Sequence, residues 1–308
     1  MPYKLDGRLV VGIASSALFD LSESDAVLHA EGEEAYRRYQ EDRLDDPLDR
    51  GVAFPFIKRL LSLNDLSEQN DPLVKVIILS RNAPDTGLRV MRSIADHNLS
   101  ITRAIFTRGE SPYRFMRALN MSLFLSANER DVREAIACGL PAGRVLNGSF
   151  VDDEAEELRV AFDFDGVLAD DKSERIMQSS TLEEFHSHES ANLVEPHSAG
   201  PLHGFLLNVN RIQQLEEARR ASDESYKLRV RVSIVTARSA PSHERAVLSL
   251  KSWGVTVDNA FFLGGVEKVS VLGILKPHIF FDDQSRHLDP ACLIVPCVHV
   301  PFGVANER

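Results

Sequence analysis

Short apolar runs that end in small or acidic residues alternate along this chain with stretches whose apolar positions recur every three or four residues. The first pattern predicts strands buried on both faces and the second amphipathic helices, so their alternation predicts an α/β protein with a parallel sheet wrapped by helices. Strands are predicted at 9–14, 74–79, 104–106, 123–125, 158–162, 230–235, 261–263 and 279–281. Helices are predicted at 33–42, 86–97, 113–119, 129–138, 208–220 and 242–253. The acidic stretch at 152–157 reads as a solvated linker and divides the chain into units of 1–150 and 151–308.

The two units resemble each other. With an offset of 156, Ile78, Arg89, Ser93, Ala104, Phe106, Gly109, Leu119 and Phe124 fall on identical residues, and the predicted strand ends coincide. With an offset of 150, residues 10–20 fall on 160–170. These matches predict a degenerate internal repeat and hence two Rossmann-like lobes. Two similar βα units matching by chance is the alternative.

Composition narrows the function classes. The 308 residues are enough for two domains with real cores, and 44% hydrophobic with 26% charged residues is a globular balance. A net charge of −11 repels nucleic-acid backbones and anionic membranes, so neither is an expected partner. Cys138, Cys292 and Cys297 match no metal-ligand spacing and read as reduced, packed residues. The N-terminus lacks the apolar core of a signal peptide, and no apolar run approaches the ~18 residues of a membrane span, so the cytoplasm is the expected compartment.

The chemistry concentrates in the second unit. Asp163-Phe164-Asp165-Gly166 follows a predicted strand, where open α/β sheets place their ligands. An EF-hand loop would put its glycine at position six rather than four, whereas a plain Asp-Gly turn stays open as an alternative. Asp282-Asp283 ends another strand, and adjacent carboxylates of this kind favour a hard cation such as Mg²⁺ or a shared proton. Thr236-Ala237-Arg238 ends a third strand, and Lys268 precedes Asp282 by fourteen residues at an expected helix start.

Taken in this order, the set resembles the four motifs of haloacid dehalogenase superfamily phosphatases. The resemblance implies Asp163 as nucleophile, Asp165 as general acid and base, and Mg²⁺ held by Asp163, the Asp165 carbonyl, Asp282 and Asp283. It also implies Thr236, with the turn Ala237-Arg238, and Lys268 as binders of phosphoryl oxygens. Longer strings, among them "GIASSALFDLSESDAV", "LSRNAPDTGLRVMRSI", "LRVAFDFDGVLADD", "VTARSAPSHERAVLSLKSWGVT" and "KPHIFFDDQ", look like the cytosolic type I 5′-nucleotidases. This implies Mg²⁺-dependent hydrolysis of nucleoside monophosphates, with AMP preferred in vertebrate forms. A phosphatase for another small ester is one alternative, and a nucleotide-binding sensor without turnover is another.

The superfamily's cap is expected as an insertion at about 171–229, which matches the family least well. There Phe185 is placed to stack on a base and His188 or Glu189 to bond the sugar or base edge; Phe185 packing the cap's own core is the alternative. The histidines nearby fit no compact zinc spacing. In the first unit the two offsets set Ile13 against Asp163, Ser15 against Asp165, Pro112 against Lys268, and Ser126-Ala127 against Asp282-Asp283. That unit therefore lacks a nucleophile and metal ligands, but Arg81, Asn82, Asp85 and Thr86 are placed to contact a nucleotide or effector. A purely structural lobe is the alternative. The expected partners are a nucleoside monophosphate substrate and a second copy of the chain in a homo-oligomer.

Overall fold

The computed structural model describes residues 5–67, 71–148 and 150–307. In the first half, β1 (Leu9–Ile13) leads through α1 (Ser15–Leu18), α2 (Ser22–Glu31), α3 (Glu33–Asp42) and α4 (Phe54–Ser62) to β2 (Val74–Ser80). Then come α5 (Gly87–Asp96), β3 (Ala104–Phe106), β4 (Leu123–Ser126), α6 (Glu129–Ala137) and β5 (Ala142–Val145). The second half opens with β6 (Leu158–Phe162), α7 (Lys172–Ser179), α8 (Leu182–Ala191), α9 (His203–Ser222) and β7 (Val230–Thr236). It continues with α10 (His243–Ser252), β8 (Asn259–Phe262), α11 (Lys268–Leu275), β9 (Ile279–Asp282), α12 (Ser285–Ala291) and β10 (Cys297–His299).

The strands form one ten-stranded sheet in the order β3-β2-β1-β4-β5-β10-β9-β6-β7-β8. Read inward from its own edge, each half has the same order, with its first strand third. Pairing is parallel within each half, and the halves meet through the antiparallel pair β5 and β10. The C-terminal strand ends of the two halves therefore lie at opposite edges of the sheet.

The register corrects one part of the sequence comparison. Leu9 pairs with Val74 and Leu158 with Val230, so the first strands correspond with an offset of 149, not 150. Asp163 then matches Ala14 rather than Ile13: Ala14 N–H donates to the Leu125 carbonyl and Asp163 N–H to that of Phe281, both at 2.8 Å. The cause is alternation. Leu9, Val11 and Ile13 enter the same core as Leu158, Val160 and Phe162, whereas Val10 and Ala161 face the other side of the sheet. In the isolated bridges Phe19–Arg50 and Ala169–Ala199 the first members differ by 150 and the second by 149, so the second half holds one extra residue within its Asp163–Leu168 loop and one fewer before Ala199.

Side-chain bonds repeat as well. Ser93 Oγ accepts from Leu48 N–H, and Ser249 Oγ from His197 N–H, each at 2.9 Å. Arg89 donates to the Asp46 carbonyl and to Gln40, while Arg245 donates to the Glu195 carbonyl and to Glu189.

One hydrophobic core runs under both halves. Phe56 on α4 meets Phe205 on α9 at 6.5 Å, and Phe162 stacks on Phe281 at 5.2 Å. Burying each such ring contributes about 1.5–3 kcal/mol, so the two units are fused along this face. The opposite face has separate clusters, one around Phe124 and Met116 and one around Phe280 and Leu272. Helix α9 buries Phe205, Leu206, Val209 and Ile212 in the shared core. Of the insertion expected at 171–229, the segment 203–222 is thus a layer helix, and α7 and α8 alone are the short helices before it. The helix expected at 113–119 is a single 3-10 turn, Pro112–Phe115, which suffices to seat Met116. Strands β5 and β10 are four and three residues long, too short for a periodic pattern to reveal.

Candidate active site

Strand pairing assembles the cluster. Phe162 pairs with Ile234 on one side and Phe281 on the other, so Asp163, Thr236 and Asp282 emerge from three adjacent parallel strands at the same edge. Lys268, the first residue of α11, reaches in between: its Nζ lies 2.9 Å from Asp163 Oδ2 and 2.7 Å from Asp282 Oδ2. Asp163 Oδ1 accepts the Phe164 N–H at 2.7 Å, which fixes the carboxylate's rotamer. Asp282 also accepts the Gln284 N–H at 2.8 Å and faces His287 Nδ1 at 3.2 Å.

Asp283 is the anomaly. Its carboxylate is buried and Oδ1 has no hydrogen-bond partner, while its backbone carbonyl accepts from His299 and Asn306. Gly166, at φ +72°, lets it in: a Cβ there would lie 2.6 Å from Asp283 Oδ2. Burial, with Asp282 and Asp163 beside it, pushes the Asp283 carboxyl up to about 10. Burial raises the Asp163 carboxyl too, against the pull of Lys268, whereas Lys268 and His287 outweigh burial at Asp282 and hold it low. Lys268 is itself raised, because its two carboxylates more than offset its desolvation.

Three buried carboxylates around one ammonium leave negative charge uncompensated, and an orphaned buried oxygen among them is what a missing cation leaves behind. The donor set fits a hard divalent ion such as Mg²⁺. By distance, donor atoms of Asp163, Asp282 and His287 group together, whereas the sequence points to Asp283. Oxygen preference and the unpartnered Oδ1 favour Asp283, with His287 fixing Asp282.

A second network adjoins the first. Arg238 grips Asp165 through both oxygens at 2.7 Å and also reaches Glu189 on α8 and the Ser242 carbonyl. Fully buried Glu189 also binds Arg245 at 3.0 Å and Ser173 at 2.8 Å, with His197 at 3.3 Å. These cations and hydrogen bonds hold its carboxyl well below the usual range despite burial. Glu189 is therefore committed to its cations and not open to a sugar or base, which revises its expected role. Phe185 is buried with its ring 5.6 Å from the Arg238 guanidinium, the packing alternative for that residue. His188 engages Asn192 one turn on. Thr236 is buried and its Oγ1 accepts the Arg238 N–H at 3.3 Å, while Ala237 is exposed.

In the first half, Arg81 is taken up by Asp131, Ser111 and the Gly109 carbonyl. Asn82 lies between Ser80 and Tyr36, Thr86 bonds the Ala83 carbonyl, and exposed Asp85 faces Arg37. These residues stand at the edge opposite Asp163, so none can complete its site. Sequence reasoning passed over Ser173, Arg245 and His287, which sit at unremarkable helix positions and are joined to the acids only by folding.

The open, mostly parallel sheet and its strand-end cluster of acids around a buried lysine define an α/β protein with an acidic crevice whose groups could hold a metal ion. The profile of the 5′-nucleotidase family matches residues 1–307, and the chain belongs to that family. Human cytosolic 5′-nucleotidase 1B is 33% identical over 299 residues, which are 94% of this chain and 48% of the relative. The chain thus spans about half the length of that relative. No solved structure matches. Among the described residues, no helix is long and apolar enough to cross a membrane.

Proposed function

We propose that the protein is a Mg²⁺-dependent phosphatase that hydrolyses nucleoside 5′-monophosphates, AMP among them, through Asp163. The observation that carries this reading is the Asp163–Lys268–Asp282 cluster with the unpartnered Asp283 oxygen beside it, in a chain that matches the 5′-nucleotidase family along its length. Asp163, the Asp165 carbonyl, Asp282 and Asp283 would hold Mg²⁺, which supplies neutralisation of the acids and of the incoming phosphate.

The Asp163 carboxylate attacks phosphorus as the bond to the nucleoside O5′ breaks, giving an aspartyl-phosphate. Asp165 hands its proton to that oxygen, then takes one from the water that attacks phosphorus, releases phosphate and restores Asp163. Arg238 holds both Asp165 oxygens, so proton transfer at Asp165 requires that pair to open, and Glu189 shares the same guanidinium. Thr236 and Lys268 bind the equatorial oxygens as their charge spreads.

The catalytic half is 151–308, with α7 and α8 as a cap, and 1–150 is a non-catalytic half. The mirrored strand order and repeated side-chain bonds support the descent of both from one haloacid dehalogenase-like unit. The relative's name favours the cytosol. The test is phosphate release from a panel of nucleoside monophosphates and sugar phosphates with and without Mg²⁺. Release from nucleoside monophosphates with Mg²⁺ alone is expected, and none from any of them refutes the reading.

A further inference from the structure

The first half has a strand-end crevice of its own. β1 stands between β2 and β4, at the point where the order reverses and open α/β sheets hold ligands. A cavity of about 440 Å³ opens there, within the range of small-molecule sites.

Most acids of the second crevice are absent from the equivalent positions of the first, although His287 becomes Asp131. Asp163, Asp282, Asp283 and Glu189 become Ala14, Ser126, Ala127 and Gln40, by strand register and by the repeated Arg89 and Arg245 bonds, and Asp165 falls on the Ser15-Ser16 pair in the loop of unequal length. Lys268 and Arg238 become Pro112 and Asn82, while Arg245 persists as Arg89. Five acids are lost against two bases. A crevice rich in unpaired carboxylates needs a cation before it admits phosphate, and one whose carboxylates are mostly paired does not.

Two of the three acids in the wall are paired. Asp131 is bound by Arg81 through both oxygens, and Glu33 by Arg37 at 2.8 Å. Asp25 lines the cavity mouth, is exposed, and makes no ion pair among the described residues; partial desolvation shifts its carboxyl upward. On the donor side, Ser15 and Ser80 hydroxyls lie 2.9 Å apart against the cavity. Arg108 lines the cavity, is exposed, and makes no ion pair among the described residues. The Tyr36 ring, with Leu21 and Leu28, supplies an apolar wall for the rest of a ligand.

We infer that this crevice binds a phosphomonoester of nucleotide size directly, without a divalent cation and without turnover. The inference rests on the equivalence of the two halves and not on the catalytic reading of the second. The antiparallel junction puts this site at the sheet edge opposite Asp163, so both sites fill independently in space.

The test is calorimetric titration of the full chain in excess chelator with AMP, adenosine and inorganic phosphate. One equivalent of AMP is expected to bind, with adenosine and inorganic phosphate each at least tenfold weaker. Arg108→Glu and Ser126→Asp should each weaken AMP at least tenfold, and Lys268→Ala should leave it unchanged. Arg108 is exposed, so its variant keeps the test valid even where Ser126→Asp misfolds. No AMP binding in chelator overturns the inference, as does binding abolished by Lys268→Ala but kept by Arg108→Glu. Inorganic phosphate binding as tightly as AMP overturns the claim of nucleotide size. Mg²⁺-dependent phosphate release, measured on the same preparations, separates these failures from failure of the catalytic proposal.

Discussion

Asp283→Asn is a substitution for which the cluster's electrostatics set opposite signs in two conditions. Without a cation, burial and two neighbouring carboxylates raise the Asp283 carboxyl from 3.8 to about 10. An acid raised on folding stabilises the fold fully only below its unfolded value, and the advantage is lost as pH climbs through the interval above it. At pH 7 the difference is three units or so, an upper bound of about 4 kcal/mol, which relaxation reduces to about 1–3 kcal/mol. Asparagine keeps the shape and removes the charge. In excess chelator Asp283→Asn should therefore melt above wild type, by about 2–6 °C for a chain of this size. Mg²⁺ at a hundredfold over its dissociation constant should stabilise wild type by about 2.7 kcal/mol, and the variant much less. Differential scanning calorimetry in chelator and in Mg²⁺ gives four melting temperatures, and the ranking should invert between conditions. A lower melting temperature for the variant in chelator, or an equal Mg²⁺ gain in both proteins, would refute the argument that Asp283 is held against its own desolvation for a cation.

Asp163→Asn removes the nucleophile's charge, so phosphate release should fall by at least about a thousandfold while the fold persists; retention of a few per cent of the rate ends the nucleophile assignment. Phe185→Ala empties a packed position beside Arg238 and should cost about 3 kcal/mol, read as a loss of thermal stability that an exposed stacking residue would not produce. His278 is lowered from 6.5 to about 4, first by burial and then by Arg59 and Arg159. Its contribution is therefore complete above pH 6.5 and lost as pH falls towards 4, and denaturant midpoints for wild type and His278→Asn should converge over that interval.

Much of the second half was legible as a string of letters because its features are local. An apolar run closed by Asp163-Phe164-Asp165-Gly166, another closed by Asp282-Asp283, and a lysine at a helix start each report their backbone setting within a few residues. The likeness of the halves was legible too, since the offset of 156 matches β2, β4 and α5 to β7, β9 and α10 without a gap. The offset for β1 came out one residue wrong. Two short apolar strands align equally well either way as strings, and what separates the choices is which residues enter the shared core.

Tertiary structure alone decided the rest, because those facts depend on distance between residues far apart in sequence. Glu189 is held by Arg238 and Arg245, about fifty positions later, a pairing that no local pattern announces. The direction in which the halves join turns on two residue pairs, Val298 with Val145 and His299 with Arg144. No periodicity encodes that antiparallel contact, yet it sends the two crevices to opposite edges of the sheet. Sequence determined which residues could do chemistry, since side-chain identity and local backbone preference are carried by neighbours. Which of them share a site, and which are spent holding one another, was decided by packing: a buried charge must find its partner wherever the fold brings one.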